Sequence, residues 1–124
     1  MRLNPYPGDL PGRVRHNVPM ARSDGLYHVV FFCMGNICRS PTAHGVFRQR
    51  LGARGLAEYV TVDSAGTHAY HVGEPPDARS QRHAARRGYD LSDLRARQLT
   101  AADFVRADLL LAMDWDNLAL AEAM

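Results

Sequence analysis

Apolar residues along this chain gather into short runs separated by turn-forming residues. Tyr27-His28-Val29-Val30-Phe31-Phe32-Cys33 is a continuous β-favouring run, the pattern of a strand buried on both faces. Met34 to Arg39 follows as a turn-like stretch, and Ser40-Pro41 reads as an N-cap with proline in the first helical turn. The helix so begun places Ala43, Val46, Phe47 and Leu51 on one side, and Gly52 and Gly55 end it. Tyr59 to Val62 predicts a second strand, stopped by Asp63-Ser64-Ala65-Gly66. Thr67 to Pro76 predicts a loop, and Asp77 to Arg87 a polar helix closed by Gly88. Thr100 to Asp103 approximates a capping box for a short helix through Arg106. Leu109 to Met113 predicts a third strand. Asp114 then caps a helix with Trp115, Leu118 and Ala119 on one side, and Met113 and Trp115 are assigned to the core. Strands alternating with helices predict an α/β fold with a parallel sheet.

The first 25 residues follow no such pattern. They hold four of the seven prolines and three of the ten glycines. Residues 1–25 are expected to be a poorly ordered tail and residues 26–124 a single domain, which suits a length of 124. Composition adds mainly exclusions. At 46% hydrophobic and 23% charged the chain has a globular balance. No apolar run approaches the roughly 20 residues of a membrane-spanning helix. The start, with Arg2, Pro5, Pro7 and Pro11 and no apolar core behind them, does not read as a secretory signal. Two cysteines do not make a disulfide scaffold, so a reduced cytoplasmic protein is expected. All fifteen basic residues are arginine, but they are scattered and the net charge is only +2, which does not point to nucleic acid.

The chemistry is concentrated in Cys33-Met34-Gly35-Asn36-Ile37-Cys38-Arg39-Ser40-Pro41. A buried strand delivers Cys33 to the carboxyl edge of a parallel sheet, where α/β folds place their ligands. Five residues then bend round to Arg39, and a helix starts at once. Backbone N–H groups of such a loop and of the first helical turn converge on one concavity, a cradle for an anion. Arg39 adds a guanidinium fork matched to two phosphate oxygens. The positive field favours thiolate over thiol at Cys33. One loop therefore holds a tetrahedral anion and aims a nucleophilic sulfur at its centre. Zinc between Cys33, Cys38 and histidines fits less well, and His28, His44 and His83 show no metal spacing. Cys-x4-Cys is not the Cys-x-x-Cys of redox proteins.

This stretch resembles the active-site loop of low-molecular-weight protein tyrosine phosphatases. Further blocks match in order: Asp63-Ser64-Ala65-Gly66-Thr67, His71-Val72-Gly73-Glu74-Pro75-Pro76-Asp77, Arg95-Ala96-Arg97-Gln98-Leu99, and Leu111-Ala112-Met113-Asp114 with Asn117-Leu118. The resemblance implies a three-layer α/β/α fold that hydrolyses phosphotyrosine in proteins, with no cofactor and no metal. It implies Cys33 as the nucleophile that forms a phosphocysteine, and Arg39 as the phosphate ligand. Met34, Gly35, Asn36, Ile37, Cys38, Arg39 and Ser40 would surround the phosphate. Asn36 would hold the loop's backbone with Ser64 as partner, and Ser40 would assist the leaving thiolate. Cys38 would form a protective disulfide with Cys33, and Tyr70 would line the substrate cleft.

Two departures stand out. Leu94 occupies the position where related proteins often carry histidine. The family's general acid, an aspartate before proline, has no counterpart, since the sequence contains no Asp-Pro and ends at Met124. The domain is therefore expected to lack the family's C-terminal strand and helix, and to self-associate through the exposed sheet edge. The rival readings are a phosphate-binding remnant and an arsenate reductase. The latter needs further cysteines, and none follows Cys38.

Overall fold

The computed structural model describes residues 25–124, so the expected tail lies outside the described residues but for Gly25. Its elements are β1 (Tyr27–Cys33), α1 (Arg39–Ala53), β2 (Val60–Gly66), α2 (Ala78–Arg86), α3 (Ala101–Arg106), β3 (Leu109–Ala112) and α4 (Trp115–Glu122). The strands form one parallel sheet in the order β2-β1-β3, with β1 in the middle paired on both sides.

Register explains the layers. Val30 pairs with Asp63 and Leu110, and Phe32 with Ala65 and Ala112. Val30, Phe32, Ala65, Leu110 and Ala112 form one buried cluster with Leu99, Ala107 and Ala121, and Leu118 packs against it. That places α4 on this face. Side chains of a strand alternate between faces, so Phe31 and Ser64 look the other way. There Phe31 meets the α1 ring of Phe47 edge-on at 5.7 Å, and Ser64 meets His44 of α1. Helices thus cover both faces, the three-layer α/β arrangement expected.

Local chemistry sets most boundaries. Asp77 caps α2 by accepting the Ser80 N–H at 3.0 Å, and Gly88 follows that helix at φ +87°, a left-handed conformation that suits glycine. The Thr100 N–H donates to Asp103 Oδ2 at 2.8 Å at the start of α3. Asp114 Oδ1 accepts the Asn117 N–H at 2.7 Å to start α4. Among the described residues no helix is long and apolar enough to cross a membrane.

Four expectations change. Strand β2 does not stop at Asp63 but runs through Gly66, because that segment keeps pairing with β1 up to Cys33. Helix α1 begins at Arg39, so Ser40 is not the N-cap; its hydroxyl turns inward instead. The buried side of α1 is Ser40, Pro41, His44, Gly45 and Leu51 rather than Ala43, Val46 and Phe47. Small residues let the helix approach closely, and Leu91 fills the space that a Gly45 side chain would take. Finally, Trp115 is 75% exposed and Met113 only half-buried. Trp115 starts α4 past the strand ends, where no layer covers it, and α4 buries Asn117 and Ala121 instead.

Candidate active site

The central strand delivers Cys33 to the carboxyl edge of the sheet, where it is only 3% exposed. The chain then loops through 34–38 and enters α1 at Arg39. Three carbonyls of this turn are tied to the surrounding backbone. The N–H groups of Thr67, His68 and Asp77 donate to the oxygens of Cys33, Met34 and Ile37 at 2.8, 2.9 and 2.7 Å. In a trans peptide the N–H points opposite to the C=O. Pulling the Met34 and Ile37 oxygens outward therefore turns the N–H groups of Gly35 and Cys38 inward. Cys38, the N-cap of α1, offers no side-chain cap, so the first-turn amides remain available to an anion.

Asn36 is buried at 2% exposure and holds the left-handed conformation, φ 59°, that asparagine tolerates better than most residues. Its amide fixes the turn from inside. Nδ2 donates to Ser40 Oγ at 2.8 Å, and Oδ1 accepts the Arg97 N–H at 3.0 Å. Ser40 Oγ lies 3.1 Å from Cys33 Sγ and 3.3 Å from the Ala65 carbonyl oxygen. A thiolate at Cys33 would take the hydroxyl's proton as its hydrogen bond.

Arg39 reaches across the mouth. Its Nη1 donates to Asp114 Oδ2 at 2.6 Å, with both side chains substantially exposed. This hydrogen bond holds the Asp114 carboxyl below its usual range and raises the Arg39 guanidinium further. The carboxylate thus fixes one guanidinium nitrogen at the end of β3, beside the loop at the end of β1.

Behind the loop stands Arg97. Its backbone holds Asn36 and accepts the Gly66 N–H at 2.8 Å. Its side chain donates to Asp63 Oδ2 at 3.0 Å and to both Asp103 oxygens at 3.0 and 2.8 Å. Burial works against the Asp103 charge, but the bonds from Arg97 and Thr100 overcome it and hold this carboxyl below its usual range. Gly66 closes the floor, because a Cβ there would sit 2.7 Å from the Met34 oxygen.

The sequence profile of low molecular weight phosphotyrosine protein phosphatases matches residues 28–124. The chain belongs to this family. It is 47% identical over 90 residues to the human low molecular weight phosphotyrosine protein phosphatase, covering 73% of this chain and 56% of the human one. It is 48% identical over 92 residues to a Streptomyces coelicolor low molecular weight protein-tyrosine-phosphatase, covering 74% and 56%. The chain thus spans a little over half the length of these relatives. Among solved structures, Bacillus subtilis YfkJ superposes with a TM-score of 0.79 at 35% identity, covering 83% of this chain and 65% of that one. A Drosophila arginine phosphatase superposes at 0.73 and 36%, covering 77% and 60%.

Within this phosphatase family member, Cys33, Asn36, Arg39 and Ser40 come together as the sequence places them. Ser64 does not bond Asn36 as expected. It lies behind α1 and shares a 2.9 Å hydrogen bond with His44 Nδ1, while Arg97 takes its place at Asn36. Cys38 is an exposed free thiol one residue before Arg39. Tyr70 is 65% exposed on the loop after β2 and stacks on His68 at 4.8 Å. Leu94 is buried with Ala84 and Leu91, so this position is apolar packing rather than a polar network. Sequence reasoning missed the roles of Arg97, Asp103, Asp114 and His44. Only the caps formed by Asp103 and Asp114 were visible in the sequence.

Proposed function

We propose that this chain carries the chemistry of a protein-tyrosine phosphatase. Cys33 Sγ attacks the phosphorus of a phosphotyrosine side chain. The S–P bond forms as the P–O bond to the ring breaks, and the departing phenolate takes up a proton from solvent water. Water then attacks phosphorus, the S–P bond breaks, and inorganic phosphate leaves. Residues 34–40 surround the phosphoryl oxygens, with Arg39 balancing the charge that develops there. Ser40 donates to the sulfur as it departs, and Tyr70 lines the cleft for the ring. Cys38 protects the nucleophile by pairing with it under oxidation. The observation that carries this reading is the 3.1 Å approach of Ser40 Oγ to Cys33 Sγ at the head of α1, one residue from Arg39.

Turnover of p-nitrophenyl phosphate and of a phosphotyrosine peptide by the 124-residue chain, against Cys33→Ser, tests it. Turnover that vanishes in the variant is expected; turnover unchanged by the variant removes Cys33 from the reaction. Among the described residues β2 and β3 are the edge strands, and β3 presents its outer edge to a second copy. A sedimentation profile that shifts with concentration is the expected outcome there.

A further inference from the structure

Helices α1 and α2 leave a groove of about 370 Å³ between them. Val46 and Ala84 give it an apolar lining, and Thr42, Arg79, His83 and Arg87 line it as well. The charge is of one sign. From Ala78 to Arg87 the chain carries Arg79, Arg82, Arg86 and Arg87, with His83 between them and no acid. The one nearby acid of this helix start, Asp77, has its carboxylate on the Ser80 N–H and only partly offsets the Arg79 charge, and Asp93 pairs with Arg48. Among the described residues, no ion pair within 4.0 Å engages Arg79, Arg82, Arg86 or Arg87. A cluster of arginines around an apolar lining is costly in self-repulsion and is relieved by an acidic partner.

The groove also adjoins the phosphate loop. The Asp77 N–H, at the head of α2, donates to the Ile37 oxygen at 2.7 Å, and Thr42 Oγ1 donates to the Cys38 oxygen at 2.6 Å. Its upper end therefore lies one helical turn from the loop. The chain's own residues 1–24 do not suit it, because they hold four arginines against two aspartates.

We infer that this groove binds an acidic segment of the phosphorylated polypeptide, a few residues from the phosphotyrosine. Its carboxylates meet Arg79 and Arg87, and an apolar side chain rests on Val46 and Ala84. This deepens the phosphatase reading and rests on it. Specificity would then come from two places: the loop reads the phosphoryl group, and α2 reads the acidic sequence beside it.

The test uses the full chain, the double variant Arg79→Glu/Arg87→Glu, and paired phosphotyrosine peptides whose flank is acidic or neutral. Wild type should prefer the acidic peptide about tenfold in kcat/KM at low salt, the scale of two exposed charge pairs. The preference should vanish in the variant and shrink at high salt. Turnover of p-nitrophenyl phosphate should stay the same, which shows that the variant is folded. An acidic preference that survives in the active variant overturns the inference. Should wild type turn over no substrate, the phosphatase reading fails, and the groove is still judged by anisotropy of a labelled acidic peptide without phosphate. Binding about tenfold weaker in the double variant supports it, and equal binding overturns it. Displacement of that peptide by single-stranded DNA at equal concentration would assign the arginines to nucleic acid and also overturn it.

Discussion

Gly66→Ala is the sharpest probe of how the fold builds the loop. Gly66 is outside the left-handed region, so its backbone does not require glycine. Space does. An added Cβ would lie 2.7 Å from the Met34 oxygen, 3.0 Å from the Gly35 carbonyl carbon and 3.1 Å from the Asn36 nitrogen, whereas ordinary contact begins at 3.4 Å. About 0.7 Å must be found, and neither side yields easily. The Gly66 N–H is bonded to the Arg97 oxygen at 2.8 Å, and its own oxygen accepts the Leu99 N–H at 2.7 Å. The loop must therefore move, carrying the amides of Gly35 and Asn36 with it. Overpacking of this kind costs about 1–3 kcal/mol. A misplacement approaching 1 Å at a reacting centre costs on the order of 10²-fold, so about 10- to 10²-fold in kcat/KM is expected. Gly45→Ala is the control. Its Cβ would clash with Leu91 Cδ2, the end of a side chain remote from the loop. It should lower the unfolding midpoint and leave turnover per folded molecule intact. Turnover of p-nitrophenyl phosphate with parallel urea unfolding separates the two effects. A stable Gly66→Ala with wild-type kcat/KM would refute the idea that contact with β2 shapes the loop.

Ser40→Ala removes the hydroxyl beside Cys33 Sγ, and should slow breakdown of the proposed phosphocysteine by about 10²- to 10³-fold, on the scale of losing one donor to a developing charge. The expected signature is a p-nitrophenol burst larger than in wild type. Asp103→Asn weakens the hold on Arg97, whose side chain is 34% exposed, and should cost about 1–2 kcal/mol by urea unfolding, less than a fully buried pair. Burial lowers the His44 pKa from its ordinary value near 6.5, so the unfolded chain takes up that proton first. The stability from neutral His44 is present above about pH 6.5 and is lost as pH falls from there toward the lower folded value. His44→Gln should flatten the fall in thermal midpoint between pH 7 and pH 5; an unchanged slope would place the proton elsewhere.

What the sequence made legible follows from how each feature is encoded. Strand β1, the caps at Thr100 and Asp114, and the loop from Cys33 to Ser40 are written in neighbouring residues, so local pattern reveals them. Local pattern ends β2 too early because Asp63-Ser64-Ala65-Gly66 looks like a turn. Only its pairing with β1 through Cys33 keeps it extended, and pairing is not a local property. Arg97 was illegible for the same reason. It lies 61 residues from Asn36 and 34 from Asp63, and joins them only once β1 and β2 are side by side. The Arg39–Asp114 pair spans 75 residues and arises because β1 and β3 end at the same sheet edge. The rule that large apolar residues are buried fails at Trp115, the first residue of a helix beyond the strand ends. Cys33 and Arg39 are therefore legible together, because one strand–loop–helix unit carries both. The residues that hold this unit in shape are not, because they come from β2, β3 and the segment between α2 and α3. Substituting those residues should accordingly disturb the loop's geometry without touching Cys33 or Arg39, the signature that Gly66→Ala is designed to reveal.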